Sequence, residues 1–316
     1  MTVASASPKT TAPAGPPGRS PARARRSLGG GAPWYFLLPA AVFFSFVTLW
    51  PSLQGAAFAF TDWDGLSQVR EFVGLDQFVR LFKDPAATGA VWHTLLIAIA
   101  IVVVQNAIGL ALALGVHTII KSRNLLRVLL FAPAIITPVA TAYLWQYLMS
   151  PPGAINELFR TLGLGFLAQD WLGDQDLALW SIVAVVVWQY AGYSMVIFLA
   201  NLQGVPEELL EAARVDGAGR WARFWHIVRP QLAPAITINL SLSMIGGLKL
   251  FDQVYVMTGG GPGSATETMS TLIYKNAFQF NAFGYGIAIA LVLTVFVAAM
   301  SGFQYWALGR QQGGSS

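Results

Sequence analysis

Cysteine is absent from the 316 residues, so disulfides and thiolate metal sites are excluded and the redox compartment leaves no trace. Charge is scarce: 11% of the residues are Asp, Glu, Lys or Arg, against about 25% in soluble globular domains. With 55% hydrophobic residues and a mean hydropathy of +0.56, the composition is that of a membrane protein. Only five lysines occur and none follows a G-x-x-x-x-G, which excludes the phosphate-cradling loop of an ATPase. His93, His117 and His226 stand far apart without a second ligand at helical spacing, so no metal site is expected. A membrane-bound enzyme lacks any Ser, His and Asp constellation here.

What the chain has is apolar length. Six runs reach the roughly 20 residues that a helix needs to cross a hydrocarbon core: 34–57, 90–116, 126–148, 177–202, 235–257 and 283–308. In lipid each backbone group must be bonded within its own segment, so the runs predict helices and an all-α polytopic membrane protein with six transmembrane helices. Residues 1–32 are rich in Pro, Ala, Ser and Arg and too poor in apolar side chains to fold, which predicts a disordered tail. The apolar region after Arg26 is longer than a secretory signal core, so the first run is expected to stay uncleaved. Residues 33–309 then form one membrane domain, with a charged loop at 206–234 and a C-terminal tail at 310–316.

Sidedness follows from Lys and Arg, which are retained on the cytoplasmic side. The tail (Lys9, Arg19, Arg23, Arg25, Arg26), the second connection (Lys121, Arg123, Arg127), the 206–234 loop (Arg214, Arg220, Arg223, Arg229) and Arg310 together hold thirteen. The alternate connections hold five: Arg70, Arg80, Lys83, Arg160 and Lys275. Both termini and the charged loop are therefore expected in the cytoplasm. This sidedness accounts for the net charge of +4, and no basic stripe with stacking aromatics points to nucleic acid.

The loop itself, EELLEAARVDGAGRWARFWHIVRPQLAP, predicts a short helix from Glu207 to Val215, a break at Gly217 and Gly219, and a second helix. Trp221, Phe224, Trp225 and Val228 fall at i, i+3, i+4 and i+7, which makes that second helix one-sided; Pro230 marks its expected end. From periodicity alone an interfacial helix with its aromatic face in the headgroups fits equally well.

Glu211-Ala212-Ala213, three residues, Gly217, nine residues, Ile227, two residues, Pro230 resembles the EAA loop of binding-protein-dependent ABC importer permeases, with Arg229 in place of the usual Leu. The stretches WYFLLPAAVFFSFVTLWPSLQGAAFAFTDWDG, FVGLDQFVRLF and FDQVYVMTGGGPGSATETMSTLIYKNAFQFNAFGYGIAIA are similar to the maltose and glycerol-phosphate branch of carbohydrate permeases. The resemblance implies a type I importer permease fold in a bacterial plasma membrane, with a cytoplasmic helix-turn-helix coupling loop. It implies as partners a second homologous permease, two ATP-binding-cassette subunits that hold ATP and Mg, and an extracytoplasmic solute-binding protein, with membrane lipid around the chain. It further implies that Glu211 is the acidic contact to the ATPase, that Gly217 permits the turn, and that Ala212 and Ala213 allow close approach. No cofactor and no catalysis are expected of this chain.

A permeation path needs polar groups inside the spans. The fourth run offers Trp188, Gln189, Tyr190 and Tyr193, with Gln189 and Tyr193 one turn apart. The resemblance implies that the W-x-x-x-x-Y stretch from Trp188 to Tyr193 lines a sugar cavity; helix packing explains each residue singly just as well. The fifth run offers Asn239, Ser243, Gly246, Gly247, Lys249, Leu250 and Asp252. Its glycines either allow close helix approach or leave room for a solute. Lys249 and Asp252, i and i+3, either pair with one another or meet a solute. Gly259-Gly260-Gly261-Pro262 predicts a tight turn that ends the fifth span on the outer side, where it is also a candidate contact for an external solute-binding protein. A stand-alone ion-coupled secondary transporter or channel is the competing reading, against which stand the lack of an internal repeat and of acidic residues other than Asp252 within the runs.

Overall fold

The computed structural model describes residues 34–118 and 122–312. The tail 1–32, Lys121 and residues 313–316 lie outside them. Among the described residues the chain is helical, and its extended pairing is confined to one isolated bridge between Thr61 and Phe72.

Among the described residues four helices are long and apolar enough to cross a membrane: Tyr35–Phe58, Pro85–His117, Gln175–Leu202 and Phe283–Ala307. Their starts follow local chemistry. Asp84 accepts a hydrogen bond from Ala86 N ahead of Pro85, and Asp174 accepts from Asp176 N and Leu177 N. Each carboxylate satisfies donors that the first helical turn leaves without partners. The part of the first helix up to Pro51 forms a unit by itself, and its described side chains are all exposed.

The third and fifth runs depart from the expected straight spans. Run 126–148 is two helices, Arg123–Ile135 and Pro138–Leu148, bent by 96°. Proline has no N–H to continue the ladder and forces the preceding residue out of the helical region; Thr137 is extended, with φ −62° and ψ 144°. Run 235–257 lies in a helix Ala233–Leu248 and a short helix Asp252–Met257, separated by Lys249, Leu250 and Phe251. Among the described residues, counting Arg123–Ile135 with Pro138–Leu148, and Arg220–Gln231 with Ala233–Leu248, each as one span gives up to six crossings by length and composition, and four otherwise. The second helix of the charged loop also passes its expected end: Arg220–Gln231 runs through Pro230 and bends by 70° into Ala233–Leu248. Residues Phe224–Val228 are π-wound just before the proline, which loosens the turn that its ring would otherwise crowd.

Packing is organised along Pro85–His117. Its first turns, at Ala87 and Ala90, meet Met269, Leu272, Tyr285 and Ile289. Its middle, at Ile97 and Ile101, meets Ile182, Val186 and Val254. Its last turns, at Ala113 and Val116, meet Phe198, Leu202, Leu232 and Ala235. The charged loop therefore leaves the bundle at one end of this helix and the glycine-rich loop 258–268 at the other. Small residues bring the backbones together: a Cβ on Gly247 would lie 2.8 Å from Ala98 Cα, and one on Gly192 would overlap the Leu130 carbonyl. Interhelical hydrogen bonds add about 1 kcal/mol each in such a setting. Gln105 Nε2 donates to Ser194 Oγ at 2.9 Å and Asn106 Nδ2 to Ser243 Oγ at 2.9 Å.

Candidate functional site

The breaks in the third and fifth runs open a cavity of about 290 Å³ between the Pro85–His117, Gln175–Leu202 and Ala233–Leu248 helices. Nine of the residues singled out from sequence line it: Tyr190, Tyr193, Asn239, Ser243, Gly246, Gly247, Lys249, Leu250 and Asp252. Two glycines adjacent in sequence have opposite uses. Gly247 is filled by Ala98, whereas a Cβ on Gly246 would meet nothing within 4 Å. Close approach and free room are thus both present, one per residue.

The polar wall is held from behind. Asn239 Nδ2 donates to Ser194 O at 3.3 Å, and Ser243 Oγ donates to Asn239 O at 2.8 Å while accepting from Asn106. Lys249 and Asp252 both face the cavity without forming an ion pair; among the described residues the ion pairs are Arg160 with Glu157 and Lys275 with Glu267. Of the two readings of this spacing, mutual pairing fails because the helix stops at Leu248, so that spacing no longer puts the two side chains on one face.

Trp188 and Gln189 stand apart from the cavity. Trp188 packs edge-on to Trp145 at 5.2 Å and lines a separate apolar groove with Leu129 and Pro133. The reason is angular: five helical steps of about 100° put Trp188 and Tyr193 roughly 140° apart, so they cannot share a face. Gln189 is fully buried behind the wall; it donates to Ile136 O at 2.9 Å and accepts from Gln253 Nε2 at 3.0 Å. Sequence reasoning missed Gln105, Phe251 and Gln253, which line the cavity as well. The Gln105-Asn106 pair inside a long apolar run was the available signal; Phe251 and Gln253 carried none beyond flanking Asp252.

The first helix and glycine turn of the charged loop have their expected shape, while its second helix continues past Pro230. Helix Glu207–Val215 ends with Gly217 at φ 79°, with Ala218 N donating to Ala213 O at 2.8 Å and Gly217 N to Arg214 O at 3.1 Å. This double closure needs a left-handed residue, the role that glycine fills without strain. Glu211, Ala212, Gly217 and Pro230 are exposed; Ala213 and Ile227 are half-buried. Arg229, the departure from the EAA pattern, lies 4.9 Å over the Trp225 ring. Val215 is 88% and Trp221 72% exposed.

The glycine-rich loop has the opposite character. Gly259, Gly260 and Gly263 have φ of 61°, 90° and 55°, and Thr266 Oγ1 donates to Gly261 O at 2.7 Å. Glu267 is 3% exposed and pairs with Lys275; His93 Nδ1 lies 3.2 Å from its backbone oxygen.

Residues 105–311 match the family described as binding-protein-dependent transport system inner membrane component. A probable ABC transporter permease protein of Bacillus subtilis, YurN, is 36% identical over 272 residues, covering 85% of this chain and 93% of its own. The multiple sugar-binding transport system permease protein MsmF of Streptococcus mutans is 31% identical over 271 residues, covering 86% and 93%. A chain in the crystal structure of a bacterial ABC transporter that imports the acidic polysaccharide alginate shares the fold, with a TM-score of 0.76 at 23% identity, covering 88% of this chain and 94% of that one.

Proposed function

Because the chain belongs to the family of binding-protein-dependent transport system inner membrane components, we propose that it is a membrane-spanning subunit of an ATP-driven importer for sugars or related polyols. Arg123–Ile135 with Pro138–Leu148 makes one crossing and Ala233–Leu248 with the segment after it another, giving six, with both termini and the 207–231 loop in the cytoplasm. The loop docks on an ATP-binding-cassette subunit through Glu211, Ala212, Ala213 and the exposed Val215 and Trp221. A second permease completes the pathway, and a solute-binding protein delivers the solute at the end bearing loop 258–268. Amides, hydroxyls and aromatic rings around the cavity suit a polyhydroxylated solute, since amides bond its hydroxyls and rings cover its C–H faces.

One observation carries this reading. The helix Ala233–Leu248 is joined directly to the loop's second helix at one end and presents Asn239, Ser243 and Gly246 to the cavity along its length. A displacement of the loop therefore reaches the cavity wall through a single rigid element. ATP shifts the transporter between states only through a differential interaction, and the docked loop is where that difference enters.

The test is reconstitution in proteoliposomes. With its companion permease, ATPase subunits and binding protein, the chain supports uptake of radiolabelled oligosaccharide only when ATP is enclosed; alone, it supports none under a proton or sodium gradient. Ion-driven uptake by the chain alone would establish it as a secondary carrier instead.

A further inference from the structure

A helix break frees backbone carbonyls that need new partners when buried. At the 96° bend, Ile136 has left the helical region, with ψ 138°, and its carbonyl accepts from Gln189 Nε2 at 2.9 Å. Gln189 has no exposed surface, and the other end of its amide accepts from Gln253 Nε2 at 3.0 Å. Gln253 is 2% exposed and lines the cavity beside Asp252; Pro138, the first residue after the bend, lines it too. One side chain thus holds a freed carbonyl at the bend and an amide of the cavity wall. A second tie runs from the far end of the same half-helix: Gln146 Nε2 donates to Val256 O at 2.9 Å and to Met257 O at 3.3 Å. Pro138–Leu148 and Asp252–Met257 are thereby fastened together at both ends. Within Pro138–Leu148, Thr141 Oγ1 and Trp145 Nε1 are sealed from solvent with no hydrogen-bond partner among the described residues.

We infer that Gln189 is a positioning residue for transport, which makes the orientation of Pro138–Leu148 across the bend depend on how Gln253 is bonded at the cavity wall. The inference rests on the transport reading above. Gln189 does not line the cavity, so it acts through Gln253 and not by touching solute. A solute group that bonds the Gln253 amide polarises or competes with the Gln253–Gln189 bond, and through it the Gln189–Ile136 bond, because serial hydrogen bonds in a low dielectric strengthen or weaken together.

The absence of cysteine from this chain permits a clean reporter once the companion subunits are made cysteine-free. Val128→Cys and Tyr147→Cys, at sites 65% and 74% exposed, flank the bend and take nitroxide labels. Pulsed electron spin distances are measured in the full transporter complex in nanodiscs, without nucleotide and with ATP plus vanadate, alongside ATP hydrolysis. In the otherwise unaltered complex two distance populations exchange weight between these conditions. Gln189→Met keeps the side chain's length and removes both bonds; it shifts the population ratio about threefold to tenfold, the worth of one buried neutral hydrogen bond. The Gln189→Met/Gln253→Met double variant shifts it no further than Gln189→Met alone, because one link has already been cut. Should Gln189→Met fail to assemble, Gln253→Met carries the same expectation while leaving the Ile136 bond in place. A bend distance that ignores ATP in a hydrolysing complex, or a Gln189→Met complex that switches unchanged, overturns the proposal: Gln189 is then only a brace. A complex that hydrolyses no ATP refutes the transport reading itself.

Discussion

The loops 207–231 and 258–268 share ingredients, at least one glycine at positive φ, one proline and at least one charged residue, yet they reach opposite states. No residue of 207–231 is fully buried, and Leu209, Val215, Trp221 and Trp225 are exposed. In 258–268, Gly260, Thr266, Glu267 and Thr268 are buried, and threonine hydroxyls close the turns from inside. The difference teaches that a charged, glycine-broken loop has no fixed meaning. Where its charge is exposed it is available to a partner; where its charge is buried and paired it is internal framing. Glu211 and Glu267 look alike in the sequence and differ entirely in what surrounds them.

The contrast is broken most directly at the buried pair. Lys275→Met leaves the Glu267 carboxylate without its cation in a dry site, and removing one partner of such a pair destabilises by about 3–5 kcal/mol. A fall in the thermal midpoint and in the yield of monodisperse protein is expected, while an unchanged midpoint would remove the distinction between the loops. Gly260→Ala comes next. It forces a left-handed residue, costing about 1–2 kcal/mol, and pushes a methyl into the Glu267 carboxylate, adding about 1–3 kcal/mol of overpacking. Gly217→Ala carries only the first cost, since a Cβ there meets nothing within 4 Å. The two midpoints measured side by side test whether packing separates the loops. The smallest stability effect is Glu211→Arg, within about ±0.5 kcal/mol as for other exposed positions. Its midpoint is unmoved while ATP-driven uptake drops at least tenfold; preserved uptake would detach the loop from coupling.

Much of this protein was legible. Runs 90–116, 177–202 and 283–308 became helices because apolar length and the lack of internal proline leave the backbone no other arrangement in lipid. The Gly217 turn was readable because a left-handed helix end is a local requirement on one residue. The 96° bend was not foreseen, although Pro138 was in view, because hydropathy reports where a segment resides and not whether its hydrogen-bond ladder continues. Of the two readings of Lys249 and Asp252, mutual pairing fell for a related reason: spacing implies proximity only while the helix persists. Trp188 was grouped with Tyr193 by pattern, against the angular step that separates them.

The sequence by itself determined that the chain is helical, membrane-embedded and equipped with a two-helix charged loop turning at Gly217, since each of these depends on the chemistry of contiguous residues. The tertiary structure alone decided that Tyr190, Asn239, Asp252 and Gln253 share a cavity, that Gln189 sits behind it, and that Gly247 is filled while Gly246 is free. Those facts depend on which helices pack together and where they break, and side chains 50 residues apart have no local rule that brings them within hydrogen-bond reach.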